Sequence, residues 1–516
     1  LVHARVFTKI WLALFGVYPW DGIPSLPPEM IYFPLWMPFN VYDFACWARG
    51  TVAPLTIVVS KRPVRALGVD VREVINPGTE AAMHHVPGSG WMWWLDGGLK
   101  LYERLGEQPV RTSAMHAMAD WIVERQEADG SWGGIQPPWV YSLIALDLMG
   151  FALDHPVMQK GLDGFDRFII NDAQGWRLQA CMSPVWDTAW ALRALALAGF
   201  KPDDPVMQRA VQWLLREQIP ADAPGDWRMR SDFRGGNGWA FEFDNDAYPD
   251  IDDTAIVVLS LLEAGEPEVV RDAVASGTAW TLAMRSHNGA WAAFDRDNTR
   301  ELLYRMPFAD FGAMIDPPTE DVTAHGVELL AALGRTTSDA DVQSGLNYLR
   351  ATQRADGSWW GRWGVNFIYG TWCAISALGM LKSGTDMMER GAAWLISKQN
   401  ADGGWGETCH SYTDESFAGV GASTASQTAW AVNALQIAGQ GKHPAAQRGL
   451  AYLKETQTRD GTWEEPYCTG TGFPKDFYLN YHLYRHLFPM MALATEKRDN
   501  VEFVPREADR RELYLR

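Results

Sequence analysis

Three carboxylates crowd one short segment, Asp250-Ile251-Asp252-Asp253-Thr254-Ala255, directly ahead of an apolar run. Taken alone, such a cluster reads most simply as a helix N-cap with negative charge on the favourable end of the dipole. Crowded carboxylates cannot all ionise cheaply, so at least one is expected to keep its proton. A retained proton makes a general acid. His325 alone reads as a satisfied core histidine, whereas opposite such a cluster it becomes a charged partner that tunes the acid. Trp186, Phe241, Phe294, Trp363, Tyr369, Phe473, Phe477, Tyr481 and Tyr484 supply aromatic rings. Each taken singly is equally an ordinary core ring. Beside an acid, ring faces stabilise positive charge by about 0.5–2 kcal/mol each once water is excluded, and offer no nucleophile to trap a cation. The chemistry implied is protonation of a carbon–carbon double bond followed by carriage of carbocations.

These residues are far apart, so the elements that gather them matter. One pattern recurs: an aromatic residue, an apolar one, Gln four to five residues on, then Gly, any residue and Trp. It reads Trp121-Ile122, Gln126, Gly130-Ser131-Trp132; Tyr348-Leu349, Gln353, Gly357-Ser358-Trp359; Trp394-Leu395, Gln399, Gly403-Gly404-Trp405; and Tyr452-Leu453, Gln457, Gly461-Thr462-Trp463. A degenerate copy has Arg285 in place of Gln before Gly289-Ala290-Trp291, and a stretched one runs from Trp213-Leu214 through Gln218 to an expected closure at Trp227. Each copy predicts an amphipathic helix, a Gly turn and a Trp packed back on the helix end. The tryptophans, 26 in all, read as staples between helices rather than ligands. Between copies lie helices apolar nearly all round, entered at Val185-Trp186-Asp187-Thr188-Ala189, Ile251-Asp252-Asp253-Thr254, Asp321-Val322-Thr323-Ala324-His325, Tyr369-Gly370-Thr371 and Ser426-Gln427-Thr428-Ala429. An all-apolar helix is buried. Alternating inner and outer helices predict an all-α fold of closed or solenoidal α-α arrays, in which the starts of inner helices converge.

Length and composition narrow the classes. The 516 residues allow two or three large units. A net charge of −18 argues against binding a nucleic-acid backbone. A hydrophobic share of 47% with 21% charged residues excludes disorder. Five scattered cysteines suggest neither a disulfide framework nor a zinc site, and fit a reducing compartment. No charged-then-apolar leader follows Leu1, and its not being Met is expected of a fragment. No apolar stretch is long enough to span a bilayer. The segment 30–48 is nearly all apolar but carries Pro34 and Pro38. It fits a kinked patch entering one leaflet, or equally a buried contact between domains.

Taken together, the Asp250–Ala255 motif, the Gln-to-Trp repeats, the aromatic segment 470–484, Gly133-Gly134-Ile135-Gln136-Pro137-Pro138-Trp139, Ser183-Pro184-Val185-Trp186-Asp187-Thr188 and Gly361-Arg362-Trp363-Gly364-Val365-Asn366 resemble the bacterial squalene-hopene cyclases over essentially the whole chain. The resemblance implies two α-α barrel (toroid) domains: residues 1–180 as the membrane-facing barrel, N-terminally incomplete, and residues 181–516 as the catalytic barrel. It implies that Asp252 protonates the terminal double bond of squalene, that Asp250 and Asp253 flank it, that His325 strengthens the acid, and that Tyr369 feeds its reprotonation. Trp186, Phe241, Phe294, Trp363, Phe473, Phe477, Tyr481 and Tyr484 would shape the polyene and stabilise cations. Trp47 and Gln136 would serve the product end, and Phe44, Val52 and Phe308 a substrate channel. It implies no cofactor and no metal, a monotopic placement on the cytoplasmic side of the cell membrane, and a homodimer. Phe294 departs from the family pattern, which has a tyrosine there. Alternatives are a class II cyclase for another polyprenoid, an oxidosqualene cyclase, an α-α barrel glycosidase and a non-catalytic lipid carrier. The Asp252-Asp253 pair argues against an epoxide substrate, since a bare alkene needs the stronger acid.

Overall fold

Apolar periodicity and Pro punctuation set the helices of this computed structural model, which describes residues 1–498 apart from 2, 3, 66, 69–72, 74, 76, 77, 79, 87–89, 105–108 and 174. In the first unit, Leu1–Met182 with Asn298–Asp316, the helices are α1 (Val6–Leu14), α2 (Cys46–Lys61), α3 (Trp91–Arg104), α4 (Pro109–Val123), α5 (Gln136–Leu148) and α6 (Pro156–Gly164), followed by the antiparallel ribbon of β1 (Ile169–Asp172) and β2 (Gly175–Leu178). Buried α2 packs on α5 and α4, with α6 outside α5.

The second unit comprises Ser183–Asp297 and the chain from Pro317 on. Its helices are α7 (Pro184–Ala198), α8 (Pro205–Arg216), α9 (Ile251–Ala264), α10 (Pro267–Ala283), α11 (Glu320–Ala332), α12 (Ala340–Thr352), α13 (Phe367–Leu381), α14 (Thr385–Ser397), α15 (Ala425–Ile437), α16 (Pro444–Thr456) and α17 (Tyr484–Arg498); the hairpin β3 (Gly470–Phe473) and β4 (Phe477–Leu479) precedes α17. The five helices expected to be apolar all round form a ring together with α17, which was not among them: α7 packs on α9, α9 on α11, α11 on α13, α13 on α15, α15 on α17, and α17 back on α7. Helices α8, α10, α12, α14 and α16 lie outside it. In α9, α11, α13 and α15 nearly every residue is buried, whereas in α8, α12, α14 and α16 only a stripe is. The protein is therefore an all-α assembly of inner and outer helix pairs.

The repeat explains how each pair is joined. In five copies the Trp indole N–H donates to the carbonyl ten residues earlier, at 2.7–2.8 Å, from Trp132, Trp291, Trp359, Trp405 and Trp463. The Gln amide donates twice, to the carbonyl of its own turn glycine and to the first turn of the next outer helix: Gln353 to Gly357 and Met387, Gln399 to Gly403 and Ala445. The turn glycine must be glycine because its φ lies between +84° and +100° (Gly130, Gly289, Gly357, Gly403, Gly461). In the degenerate copy Arg285 reaches the next outer helix instead, through Asp341 and Ser344. The stretched copy closes at Trp239, not at Trp227. The Trp239 indole donates to the Leu214 carbonyl at 2.6 Å and Gln218 to Asn237 and Ala273. Trp227 instead packs edge-on against Trp280, at 5.9 Å between ring centres, because the inserted loop carries it off the helix end.

The contact division near residue 182 has one excursion that a linear boundary misses: Asn298–Asp316 leaves the second unit's chain and packs with the first. The excursion is held there by an Arg300–Asp43 ion pair at 2.7 Å and by Ala45 N–H donating to the Met314 carbonyl at 2.9 Å.

Candidate active site

Asp250 is indeed the N-cap of α9. Its carboxylate accepts the backbone N–H groups of Asp252 at 2.7 Å and Asp253 at 3.2 Å. The cap is fixed from behind, since Asp250 N–H donates to the Trp239 carbonyl at 2.8 Å and Thr254 Oγ1 accepts from Trp239 N–H at 3.0 Å. Ile251 N–H donates to the Ala293 carbonyl at 2.7 Å, which brings the segment bearing Phe294 to the start of α9. All three aspartates are buried.

With Asp250 spent on capping, the other two do different things. Asp252 Oδ1 lies 2.6 Å from Nδ1 of His325, one helix round the ring on α11. Burial alone would lower the basicity of His325, but the Asp252 charge and hydrogen bond, with help from Glu328 and Asp321, hold it above its ordinary value. The imidazole is thus more readily protonated than a free one, with a carboxyl group against its Nδ1. Asp253 Oδ1 has no hydrogen-bond partner. Burial first, then the charges of Asp250, Asp252, Glu242 and Asp187, push Asp253 well above the carboxylate range, so it stays protonated. The expectation of a retained proton therefore holds for this cluster as a unit.

Two carboxyls outside the motif complete it, each legible beforehand only as one more member of an inner-helix start. Asp187, on the first turn of α7, accepts the Ser183 hydroxyl at 2.9 Å while burial pushes it up to about 6. Asp321, on α11, accepts the backbone N–H groups of Arg362 and Trp363 at 2.7 and 2.9 Å, so it fixes the turn that presents the Trp363 ring. The β3 strand runs beside that turn, with Thr471 N–H donating to the Trp363 carbonyl at 3.1 Å. The signal for both carboxyls was their repeat position one turn into an inner helix.

The aromatic residues cluster on the same side. Trp186 packs 6.3 Å from His325 and donates its indole N–H to the Tyr484 hydroxyl at 2.8 Å. Tyr484 stacks on Tyr481 at 4.5 Å, and Tyr481 meets Phe241 edge-on at 6.3 Å. Phe294 meets Trp363 edge-on at 6.3 Å, and Tyr369 stands 6.5 Å from His325. Phe473 and Phe477 pair at 5.9 Å; Phe477 is 38% exposed and is the most open ring of the set. Phe241, Phe294, Trp363 and Tyr481 are only half-buried.

Five assigned residues lie in the first unit. Trp47 and Val52 are buried on α2, Phe44 just ahead of it, and Gln136 opens α5. Trp47 donates its indole N–H to the Ala313 carbonyl at 2.7 Å, so its polar edge is used within that unit. Phe308 sits on the Asn298–Asp316 excursion, 6.1 Å from Phe7.

Comparison with known proteins bears on this geometry. Residues 1–174 match the family model described as squalene-hopene cyclase N-terminal domain, and residues 182–498 the one described as squalene-hopene cyclase C-terminal domain. The chain belongs to the squalene-hopene cyclase family. A squalene–hopene cyclase of Alicyclobacillus acidocaldarius is 46% identical over 96% of this chain and 79% of its own length, and one of Bradyrhizobium diazoefficiens 40% identical over 96% and 77%. A dammaradiene synthase of Dryopteris crassirhizoma is 41% identical over 95% of this chain and 76% of its own. Within this family the buried acid cluster and the rings beside it become the natural place to look for cyclisation.

Proposed function

We propose that this protein cyclises squalene to hopene, with some hopanol, starting from a proton held at Asp252. The observation that carries the reading is the 2.6 Å contact between Asp252 and His325 inside a buried carboxyl cluster. When Asp252 carries the proton, the hydrogen bond it accepts from the imidazole stabilises the carboxylate left after the proton goes. The proton passes from the carboxyl oxygen to the terminal alkene carbon; the π pair forms the new C–H bond and leaves a tertiary cation. Neighbouring double bonds of the same chain then attack in turn, each consuming one π bond and forming one ring bond. The cation ends by losing a proton, which gives an isomer of squalene, or by adding water. Asp250 holds the start of α9, neutral Asp253 adds no charge beside Asp252, and Tyr369 lies on the route by which Asp252 regains its proton. Trp186, Phe241, Phe294, Trp363, Phe473, Phe477, Tyr481 and Tyr484 face the moving charge with their rings, and Phe294 does so without the hydroxyl that the family pattern has there. Trp47 and Gln136 serve the product end, and Phe44, Val52 and Phe308 the path of entry.

The same reading places the protein as a homodimer on the cytoplasmic face of the cell membrane, without spanning it. No described helix is long and apolar enough to cross. Supporting contact with a bilayer, Trp36 is 78% exposed and Trp94 72%, and Leu35 and Leu101 are exposed too. Squalene is nearly insoluble in water, so an enzyme acting on it gains by drawing it from lipid. Incubation of detergent-solubilised protein with squalene, followed by gas chromatography–mass spectrometry, tests the reaction. Pentacyclic hopene supports it; a tetracyclic product would reassign the product, and unchanged squalene would remove the reading.

A further inference from the structure

Below the acid cluster, three charged side chains meet inside the ring of inner helices, where the described residues are otherwise almost wholly apolar. Arg193 of α7 is buried, and its guanidinium binds Glu328 of α11 at 2.8 Å and Glu263 of α9 in a two-pronged contact at 3.1 and 3.2 Å. Arg193 also lies over the Trp190 ring, 5.0 Å from its centre, and the same ring packs 6.1 Å from His325. Glu328 is one turn beyond His325 on the same helix, so both occupy one face. The three helices joined here are the ones that carry Asp187, Asp252 and His325.

We propose that Arg193 and Glu328 are positioning residues for the acid: Arg193, held from its outer side by Glu263, locks the register of α7, α9 and α11, and Glu328 places a negative charge one turn from His325. The inference rests on the reading of Asp252 and His325 as the proton source. An ion pair in a protein interior is weak evidence for stability, since apolar replacements of similar volume often fold as well. What the triad leaves behind is charge. One guanidinium faces two carboxylates; Glu263 is the more solvated, with 27% of its side chain exposed against 5% for Glu328. The uncompensated negative charge is therefore felt inside, where screening is weakest. The groups facing His325 are Asp252 from α9, Asp321 and Glu328 from α11 itself, Tyr369 and Cys373 from α13, and Arg193 beyond the Trp190 ring of α7. Outside, Asp341 of α12 is turned to Arg285 and Arg335. Burial holds the Tyr369 and Cys373 groups protonated and neutral, so Asp252, Asp321 and Glu328 set the field at His325.

The test compares two variants that each remove one carboxylate from Arg193, Glu328→Gln and Glu263→Gln. The titration of His325 is followed by NMR on protein with labelled histidine, its signal assigned by loss in His325→Gln. That readout needs no substrate, so it fails separately from the assignment of squalene. The expected result is a fall of about one pH unit in the His325 midpoint for Glu328→Gln, and no change beyond about 0.2 unit for Glu263→Gln. In turnover, the alkaline limb of kcat/KM moves down with the first variant only. Equal shifts in both, or none in either, would overturn the proposal and leave the triad as packing. Should Glu328→Gln not fold, the triple variant Arg193→Met, Glu263→Leu, Glu328→Met removes all three charges together; a lowered midpoint there supports the proposal and an unmoved one refutes it.

Discussion

The starts of α9 and α15 are built on one plan and used for opposite ends. In both, a threonine on the first turn accepts the backbone N–H of the repeat tryptophan: Thr254 from Trp239 at 3.0 Å, Thr428 from Trp405 at 2.9 Å. At α15 the polar side chains of the cap and first turn themselves are matched. Thr424 caps Gln427, Ser426 gives both its N–H and its hydroxyl to Glu465, and Gln427 donates to the carbonyls of Val365 and Glu407 while accepting from Glu407 N–H. At α9 the same positions carry aspartates, one of whose oxygens has no partner. A matched buried network stabilises; an unmatched one stores reactivity at a cost in stability. The difference is that a neutral amide replaces an acid at the equivalent turn.

Substitutions should separate the two starts cleanly. Asp252→Asn is the largest effect expected: squalene conversion falls by at least about 10³-fold, read by gas chromatography, while the melting temperature stays within a few degrees. An active Asp252→Asn protein would erase the distinction between the two starts. Glu465→Ala should do the reverse, orphaning Ser426 and costing about 1–3 kcal/mol in denaturant unfolding, with turnover per folded molecule kept. Phe477→Ala should leave the rate within about tenfold but release partly cyclised products, since removing one ring face forfeits about 0.5–2 kcal/mol of cation stabilisation; a wild-type product pattern would take Phe477 out of the site. The smallest effect is on stability against pH. The folded value of His325 lies above its unfolded one, so its contribution is complete below the unfolded value and is lost as pH rises through the folded one. Buried Asp253, protonated when folded, acts in the same direction above its unfolded value. The melting temperature should therefore drop as pH rises above the ordinary imidazole value of about 6.5, and by less in His325→Gln.

The ring of inner and outer helices was legible because two independent periods, helical amphipathicity and the Gln-Gly-Trp spacing, fell in step. Where an insertion broke that step, the reading slipped, as at Trp239, whose distance from Gln218 no fixed period predicts. The motif around Asp252 was legible for its density of charge, and its pairing with His325 followed from the ring. Arg193, Glu263 and Glu328 were not singled out. Glu263 and Glu328 lie 70 and 135 residues from Arg193, each beyond the first turn of an otherwise apolar stretch of its helix. A charge stranded in such a helix was itself the cue, because an unpaired one would not be tolerated there. The excursion of Asn298–Asp316 left no trace, as nothing in its composition marks which unit it joins.

One feature of the ring bears on how the chain is made. Because α17 is the member that packs against α7, the circle lacks its last segment until all the chain from α7 through α17 has emerged from the ribosome. Until then the inner faces of α7 and α15 stay uncovered, and the nascent chain carries two sticky edges through most of its synthesis. Folding of this unit is thus a late, all-at-once event tied to the final helix, and its yield should depend on what shields those edges during translation.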